Sequence, residues 1–332
     1  MKQSIAVVIL NWNGTELLKQ FLPSVVQFSS EATAYVADNA STDASVDYVK
    51  TNFPSVKIIQ NITNGGYAKG YNDALAHLSE DIFILLNSDV LVTPNWLQPI
   101  ANIFEENQMV AAVQPKILDH KKPEYFEYAG AAGGFIDKFA YPFCRGRIFD
   151  NLEKDHGQYD DEIEIFWASG ACLAVRREIY NKVGKLDEDY FSHQEEIDLC
   201  WRLHNYGYKV FYTPRSVVYH VGGATLANIN PKKTYYNFRN SLFNIIKNVP
   251  SNHLFVVLFI RMILDGIAAL KFLIELKFKH FSAVFQAHIS FYKQLTKFVE
   301  KRKKLPKKEN YYSKISVVCR NYGLGQKKFS DL

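Results

Sequence analysis

Residues 5–14, Ile-Ala-Val-Val-Ile-Leu-Asn-Trp-Asn-Gly, place a short apolar run rich in β-branched residues directly before a polar turn. The pattern recurs in the first ninety residues, with apolar runs at 34–37, 56–59 and 82–86, each followed by a loop of Asn, Asp, Ser or Gly. Apolar residues at helical spacing predict a helix at 15–28, and further helices are predicted at about 43–53 and 66–78. Strand, polar loop and helix in this repeated order indicate an α/β fold with βαβ units and a mostly parallel sheet flanked by helices.

The next stretch, up to about residue 249, has a mixed pattern. Strands are predicted at 110–113, 135–136, 166–175, 209–212 and 217–220, helices at 195–205 and 231–249, and a loop at 141–165. We therefore expect residues 1–249 to form one body of two halves, 1–110 and 111–249, and residues 250–332 to form a separate extension.

The composition fits a folded protein of a reducing compartment. Of the 332 residues, 48% are hydrophobic and 22% are charged, which allows a sizeable core and excludes a disordered chain. The four cysteines are widely separated and contain no CxxC pair, which excludes a disulfide scaffold and a zinc ribbon. The apolar run near the N-terminus is too short for a secretory signal peptide, so we interpret it as a buried first strand.

Charge divides the chain into an acidic body and a basic extension. Residues 253–332 have a balance of +11, whereas residues 1–252 have a balance of −6. Within the extension, residues 253–276 are highly apolar, and Arg261, Asp265, Lys271 and Glu275 fall in a helical stripe about 120° wide. This pattern predicts an amphipathic helix that lies in a membrane interface with its charges toward water, or one that packs on a partner.

Residues 293–308 follow with eight Lys and Arg against one Glu, a pattern that favours anionic lipid headgroups. A solvated basic tail is the alternative interpretation of the lysines alone. Nucleic acid is a weaker candidate partner because no nucleic-acid-binding motif or aromatic platform accompanies the charge.

Polar residues end several of the predicted strands. In open α/β sheets, ligands bind outside the carboxyl ends of the strands, and here those positions hold Asn11, Asp38, Asn39, Asn64 and Asp89. The sequence has no GxGxxG after the first strand and no GxxxxGK[ST], so dinucleotide and P-loop sites are unsupported. These positions therefore predict a pocket rich in Asn and Asp and poor in basic residues.

Three clusters could carry chemistry in this pocket. Asn87-Ser88-Asp89 offers oxygen ligands for Mg²⁺ or Mn²⁺, although an Asp that merely ends a strand is common. Glu195, Glu196 and Asp198 place three carboxylates in four residues, although acids in a first helical turn also complement the helix dipole. His220 ends a predicted strand before Gly222-Gly223 and could reach a metal or a phosphate, although isolated histidines are more often structural.

Together these segments resemble the family 2 glycosyltransferases, inverting enzymes with the Rossmann-like GT-A fold. The resemblance covers about residues 4–248 and is closest to bacterial rhamnosyltransferase-like members that build surface polysaccharides. The matching stretches are residues 7–14, 38–43, 64–72, 85–89, 169–172, 176–177, 187–202, 219–223 and 238–240.

The resemblance implies a role for each matching residue. Asp38 would read the pyrimidine base of a UDP- or dTDP-sugar, and Asp89 would be the last acid of the metal-binding DXD motif. His220 would help to hold the metal and the diphosphate. Glu196 would be the catalytic base, with Glu195 and Asp198 beside it. The implied nucleotide-sugar site comprises Asn11, Asn13, Asp38, Asn39, Ser41, Asn64, Gly65, Gly66, Asn72, Asn87 and Ser88.

The chain departs from the family pattern at two positions. Asn87-Ser88-Asp89 keeps one carboxylate of the DXD motif, which implies weaker metal affinity without the substrate diphosphate. Glu196 replaces an expected Asp, which lengthens the reach by one methylene and leaves open which glutamate is the base.

The expected activity is metal-assisted transfer of a sugar, rhamnose or another hexose, to a glycan or lipid-linked glycan acceptor. Trp167 could stack on the acceptor near Gly170, and a buried core tryptophan is the alternative. We expect a location on the cytoplasmic face of the cell membrane, bound peripherally to an anionic surface. A sugar-nucleotidyltransferase and a non-catalytic glycan-binding or scaffold protein are the competing hypotheses.

Overall fold

A computed structural model describes residues 3–222 and 230–332 of the chain. The strands are β1 (Ile5–Asn11), β2 (Thr33–Asp38), β3 (Lys57–Gln60), β4 (Ile82–Asn87), β5 (Val90–Val92), β6 (Val110–Asp119), β7 (Gly134–Ile136), β8 (Pro142–Cys144), β9 (Arg147–Ile148), β10 (Asn151–Leu152), β11 (Ile163–Ile165), β12 (Cys172–Arg176) and β13 (Lys209–His220). The helices are α1 (Thr15–Phe28), α2 (Ser45–Asn52), α3 (Gly66–Leu75), α4 (Leu97–Glu106), α5 (Arg177–Lys182), α6 (Glu195–Asn205), α7 (Pro231–Asn248), α8 (Ser251–Ile274) and α9 (Phe278–Lys303).

The first four strands form the parallel half of the main sheet in the order β4-β1-β2-β3. Strand β1 lies between β2 and β4, and its residues 6–8 are completely buried, as an apolar run covered on both faces requires. The predicted βαβ units are therefore confirmed, and the carboxyl ends of these strands meet at one edge.

The second half of the main sheet is mixed, with β12 antiparallel to both β4 and β6, and β13 parallel to β6 but antiparallel to β11. The strand predicted at 166–175 is confirmed in its last part, which is β12, but is wrong in its first part, because β11 and β12 are separated by a loop that includes Trp167 and Gly170. The two strands predicted at 209–212 and 217–220 are one strand, β13, whose register shifts between Thr213 and Val217, around a proline that cannot donate to the ladder.

A second sheet of four short strands combines β7, where the sequence predicts a strand at 135–136, with β8 to β10, which lie in the first half of the segment 141–165 predicted as a loop. These strands have two or three residues each, too few to show a period in the sequence. Gly146 makes the turn between β8 and β9 with φ of +89°, and a Cβ there would lie 2.6 Å from the Phe126 ring. The sequence analysis also assigned no element to the segments that form α4 and α5.

Of the four charges in the predicted stripe, Arg261 and Asp265 face the protein, whereas Lys271 and Glu275 are exposed as predicted. Arg261 and Asp265 are 4% and 0% exposed, and Nε of Arg261 donates to Oδ1 of Asp265 at 2.8 Å. Nε2 of His288 from α9 lies 3.2 Å from the other Asp265 oxygen, and the Arg261 guanidinium lies 4.0 Å from the Tyr141 ring centroid. The expectation that Arg261 and Asp265 face water is wrong, because they neutralise one another against the protein.

The apolar side of α8 consequently faces outward. Phe255, Phe259 and Ile274 are 80%, 58% and 81% exposed, and Ile263, Ile267 and Leu270 continue the same surface. The 24-residue helix is long and apolar enough to cross a membrane by length and composition, or to associate with one.

The basic segment 293–308 is only partly a free tail. Lys297 and Lys301 of α9 form ion pairs with Asp189 and Asp187, and Nη1 of Arg302 donates to the carbonyl oxygens of residues 246 and 249. Lys307 donates to three carbonyl oxygens of its own turn. The expectation that all eight basic residues seek lipid is therefore wrong for these four, which bind the chain itself.

Candidate functional site

Asn11 organises the carboxyl ends of β1 and β2. Its side-chain nitrogen lies within hydrogen-bond distance of Oδ1 of Asp38 at 2.9 Å, Oγ of Ser41 at 3.1 Å and Oγ of Ser45 at 2.9 Å. Oδ2 of Asp38 accepts from the backbone N–H of Ser41 at 3.0 Å, so both oxygens of this buried carboxylate are held. The fixed geometry leaves further lone pairs of Asp38 for a ligand.

A loop cluster borders this network. Asn13 has φ of 49°, and its side-chain oxygen accepts from the Thr42 N–H at 2.7 Å. The side-chain nitrogen of Asn39 donates to Oδ1 of Asn64 at 3.0 Å and to the Gly66 carbonyl oxygen at 3.1 Å. These bonds tie the loops after β1, β2 and β3 into one polar rim.

The Gly65-Gly66 pair lets the rim approach the segment before α6. Gly66 has φ of +83°, and a Cβ there would lie 2.4 Å from the Phe191 carbonyl oxygen. Any side chain at this position would push the two loops apart, because backbone cannot give way as a flexible side chain can.

Asn72 acts inside the protein. Its nitrogen donates to the Leu186 carbonyl oxygen and to Glu188, at 2.9 and 3.0 Å, and its oxygen accepts from the Tyr180 hydroxyl at 2.6 Å. The side chain is 7% exposed, so these contacts support shaping of the pocket rather than contact with a donor sugar.

Asp89 and His220 come together at the sheet edge. Nε2 of His220 lies 3.1 Å from Oδ1 of Asp89, and Nδ1 lies 3.3 Å from Oε1 of Glu127. Burial opposes the charged imidazolium, but the carboxylates of Glu127 and Asp89 outweigh it and raise the pKa of His220 to about 10. The side-chain nitrogen of Asn87 lies 3.5 Å from Nε2, and Ser88 is half-buried beside it.

This arrangement fits a divalent cation. A cation would have to displace the Nε2 proton of His220, after which Glu127 would hold the Nδ1 proton and Nε2 would be a ligand beside an Asp89 oxygen. Within residues 3–222 and 230–332, no set of three His, Cys, Asp or Glu is arranged to bind a metal ion by itself. Substrate or water oxygens would therefore complete the coordination. Gly223, the second glycine of the pair after His220, lies outside the described residues.

Glu195 and Glu196 occupy the first turn of α6 but have different environments. Glu196 is half-buried, and burial raises its pKa to about 7 even though backbone hydrogen bonds favour the ionised form. Glu195 is 3% exposed, and its Oε2 has no hydrogen-bond partner in residues 3–222 and 230–332. Burial, together with the nearby Glu196, raises the pKa of Glu195 well above the usual value. Glu196 is thus the more accessible carboxyl and the one poised near neutral pH.

Asp198 belongs to the packing between α6 and α7. Its carboxylate is completely buried and accepts from Arg202 at 2.8 Å, Lys247 at 2.8 Å and Asn248 at 3.0 Å. Burial raises its pKa, but Arg202 and Lys247 outweigh this effect and lower it. The inclusion of Asp198 among the catalytic candidates is wrong, because structural partners occupy its oxygens.

Comparison with known proteins identifies the family. The sequence profile described as Glycosyl transferase family 2 matches residues 6–184. The chain belongs to this family. It is 26% identical over 235 residues to the N-acetylglucosaminyl-diphospho-decaprenol L-rhamnosyltransferase of Mycobacterium tuberculosis, a match that covers 66% of this chain and 76% of that protein. It is also 23% identical over 262 residues to the dTDP-rhamnosyl transferase RfbF of Shigella flexneri, covering 75% and 82% of the two chains.

Solved structures confirm the GT-A fold of this glycosyltransferase. The mannosyltransferase PcManGT from Pyrobaculum calidifontis, in complex with GDP-Man and Mn²⁺, has a TM-score of 0.53 at 12% identity and covers 91% of this chain and 85% of that one. GalNAc-T7 with UDP, GalNAc and Mn²⁺ also has a TM-score of 0.53, at 18% identity, and covers 66% of this chain and 43% of that one. At such identities the likeness establishes the fold alone.

The acceptor side of the glycosyltransferase differs from the expectation for Trp167. This side chain is 4% exposed, its Nε1 donates to the Phe135 carbonyl oxygen at 2.8 Å, and its ring covers Gly134. Trp167 is therefore a core residue and does not present a stacking face. The Gly170 carbonyl oxygen accepts from the Tyr67 hydroxyl at 2.7 Å, which joins the loop before β12 to α3.

Two further residues of the site were missed by the sequence analysis. Glu127 lies between β6 and β7, where its only signal is a lone acid among aromatic and small residues. Trp12, immediately after β1, is 49% exposed. Its position between Asn11 and Asn13 is the sequence signal that indicates an aromatic side chain at the surface.

Proposed function

We propose that this chain is an inverting glycosyltransferase that moves a hexose, with rhamnose as the first candidate, from a dTDP- or UDP-sugar to a hydroxyl group of a glycan or lipid-linked glycan. The observations that carry the proposal are the Asp89–His220 pair at the carboxyl edge of a GT-A sheet and the pKa of Glu196, which is raised to about 7, a value suited to base catalysis. Two relatives named as rhamnosyltransferases, one of them named for a diphospho-decaprenol acceptor, support the choice of sugar and acceptor.

The donor would lie on the polar rim of β1, β2 and β3. Asp38 would accept a hydrogen bond from the pyrimidine base, with its orientation fixed by Asn11 and Ser41. Asn13, Asn39, Asn64, Gly65 and Gly66 would shape the pocket around the ribose and the sugar. Asn87 and Ser88 would lie toward the diphosphate.

Asp89 and His220 would hold Mg²⁺ or Mn²⁺, and both solved structures described above contain Mn²⁺. When bound, such a cation offsets the negative charge on a departing nucleoside diphosphate. Glu127 would keep Nε2 of His220 directed toward that position.

Glu196 would supply the base. In its ionised form it accepts the proton of the acceptor hydroxyl while that oxygen forms a bond to the anomeric carbon. The bond from that carbon to the diphosphate oxygen breaks on the opposite face, so one displacement inverts the configuration without a covalent sugar intermediate.

Release of nucleoside diphosphate from a panel of UDP-, GDP- and dTDP-sugars, with and without Mn²⁺, tests the proposal. We expect turnover with a dTDP- or UDP-sugar that depends on both an acceptor and the cation. Formation of a nucleotide-sugar from a sugar phosphate and a nucleoside triphosphate would instead show a nucleotidyltransferase. Absence of turnover with every donor and acceptor would leave the glycan-binding hypothesis.

We further propose that the enzyme works peripherally on the cytoplasmic face of a membrane. The outward apolar face of α8 and the lipid-linked acceptor named for one relative support this location. Among the basic residues of the extension, Lys293, Lys304 and Lys308 are exposed and could face anionic headgroups.

A further inference from the structure

The segment 187–194, which leads into α6, adopts a conformation that needs external support. Phe191, His193 and Gln194 have φ values of 64°, 68° and 69°. Such a conformation is unfavourable for a residue with a side chain and persists only where its surroundings hold it. Glu195 and Glu196 follow directly, so any shift of this segment moves the proposed base.

Side chains of helix α7 form hydrogen bonds with the backbone of the 187–194 segment. The side-chain nitrogen of Asn240 lies 2.9 Å from the Ser192 carbonyl oxygen and 2.7 Å from that of His193, and Nη2 of Arg239 donates to the Tyr190 carbonyl oxygen at 2.9 Å. Nε2 of Gln194 lies 2.9 Å from Oγ of Ser241. These bonds hold the strained end of the segment.

Lysines from the C-terminal helices hold its other end. Nζ of Lys247 and Nζ of Lys301 lie 2.6 and 2.5 Å from Asp187, and Lys301 also lies 2.6 Å from Asp189. Lys297 pairs with the remaining Asp189 oxygen at 2.6 Å. The Asp187 side chain is 9% exposed and that of Lys301 29%, so water weakens this pair less than a surface pair.

Lys297 and Lys301 lie outside the residues that match the family profile. Both lysines lie on α9, whereas the family profile ends at residue 184. Helix α9 is fixed on α7 by stacking of Phe243 on Phe298, with ring centroids 3.7 Å apart. Because α9 is packed firmly on α7, the C-terminal extension contacts the segment that directly precedes the proposed base.

We propose that Lys301 is a positioning residue for Glu196, acting through Asp187 and Asp189 to hold the 187–194 segment in the catalytic conformation. The expected effect of Lys301 on kcat rests on the proposed function. It makes the C-terminal extension part of the catalytic machinery and not only a membrane-binding appendage.

The test compares Lys301→Met with Lys303→Met in the full-length chain, using a soluble acceptor. Among the residues that the structure describes, Lys303 pairs with Glu300 alone, at the surface of the same helix, which makes it a matched control. For Lys301→Met, kcat and kcat/KM should fall together by roughly tenfold to a hundredfold with donor KM nearly unchanged, because misplacement of a catalytic group affects the transition state. Lys301→Arg should restore most of kcat, and Lys303→Met should match the wild type.

Amide hydrogen exchange gives a readout that does not depend on activity. Peptides covering residues 187–196 should exchange faster in Lys301→Met than in the wild type or Lys303→Met. If Lys301→Met does not fold, Asp189→Asn, which removes charge from the other end of the pair, should give the same kinetic and exchange effects.

Wild-type kcat together with unchanged exchange in these variants would overturn the positioning role. A parallel loss of donor and acceptor affinity, without a specific loss of kcat, would also overturn it. A wild-type chain that transfers no sugar would contradict the proposed function alone, and faster exchange in the variants would still support the positioning role.

Discussion

Asp198 and Glu196 are two positions apart on α6, yet their environments are opposite. Asp198 is completely buried against Lys247 and Asn248 of α7, while Glu196 is half-buried and has a pKa of about 7. The sequence shows the acidic cluster but does not show which helix packs on which face, so it could not separate structural from catalytic carboxylates. Glu127 was missed for a related reason, since only the fold brings it to His220.

Replacement of Glu196 tests the base directly. Glu196→Gln keeps the shape and removes the proton acceptor, so kcat should fall at least about a hundredfold while donor affinity survives. Wild-type kcat should rise with pH through about 7 as the carboxylate forms. An inactive Glu195→Gln beside an active Glu196→Gln in the same assay would show that the other glutamate is the base.

The same raised pKa has a consequence for stability. A carboxyl group whose folded pKa lies above its unfolded pKa contributes stability at low pH that is lost as pH rises through the folded value. Because the pKa of Glu196 is raised from 4.5 to about 7, Glu196→Gln should raise the melting temperature relative to wild type at pH 8 but hardly at pH 4. An equal shift at both pH values would show that Glu196 has an ordinary pKa.

Asp89 should be required for cation-dependent nucleotide binding. Asp89→Ala removes a hard oxygen ligand, and affinity for UDP or dTDP with Mn²⁺ should fall at least about tenfold, since even residues that only orient a ligand contribute 10- to 100-fold. The melting temperature should also fall at neutral pH, because Asp89 helps to stabilise the buried His220 imidazolium, and the cation dependence of binding separates this effect from loss of a ligand. Calorimetry with and without EDTA measures the effect, and Glu106→Ala, an exposed acid at the end of α4, is the control. Unchanged affinity in Asp89→Ala would remove the residue from the metal site.

At the scale of elements, predictability follows the source of each element's stability. Strands β1 to β4 are stabilised by their own apolar runs, which the sequence shows. Strands β8 to β10 depend on the Gly146 turn and on packing against the C-terminal tail, as the contact between Phe143 and Phe329 illustrates. Such partners are distant in sequence, so the elements they support leave no local pattern.

The environment of the charges on helix α8 also depends on partners that are distant in sequence. The helical stripe was predicted correctly, but a stripe of opposite charges can face water or be neutralised against protein, and the sequence cannot distinguish these environments. Asp265→Ala would leave Arg261 buried without its carboxylate, a change that costs about 3–5 kcal/mol of unfolding free energy. The double variant Arg261→Met/Asp265→Leu should recover most of that loss, as chemical denaturation can measure. A loss below about 0.5 kcal/mol, the range of ordinary surface substitutions such as Glu300→Ala, would contradict the buried pair.

At the scale of the whole molecule, the GT-A body and the helical extension are joined more closely than the charge split indicates. Part of the +11 balance of residues 253–332 is used against the acidic body, through Lys297 and Lys301 on Asp187 and Asp189. What α8 leaves exposed is chiefly apolar, so membrane attachment should depend on insertion of side chains more than on basic charge.

Sedimentation with vesicles distinguishes these two contributions. The double variant Phe255→Asp/Phe259→Asp should stay largely in the supernatant, because each buried phenylalanine contributes about 1.5–3 kcal/mol and the introduced charges resist insertion. Lys304→Ala/Lys308→Ala should lose only the salt-sensitive part, about 1 kcal/mol per lysine near an anionic surface. Wild-type protein should therefore pellet with neutral vesicles as well as with anionic ones, and high salt should weaken only the anionic case.

Point variants are the appropriate probe because α9 completes the packing of α7, so removing the extension would expose Phe243 and Leu242. If wild-type protein ignores both kinds of vesicle and sediments as a dimer that Phe255→Asp/Phe259→Asp dissociates, a second copy covers the apolar face. If it binds anionic vesicles alone and Lys304→Ala/Lys308→Ala abolishes binding, attachment is electrostatic, and the outward face of α8 does not insert. Retention on neutral vesicles, lost only in the aspartate variant, would place the lipid-facing surface on α8. The base-positioning contacts of α9 would then lie in the same helical pair as the membrane contact.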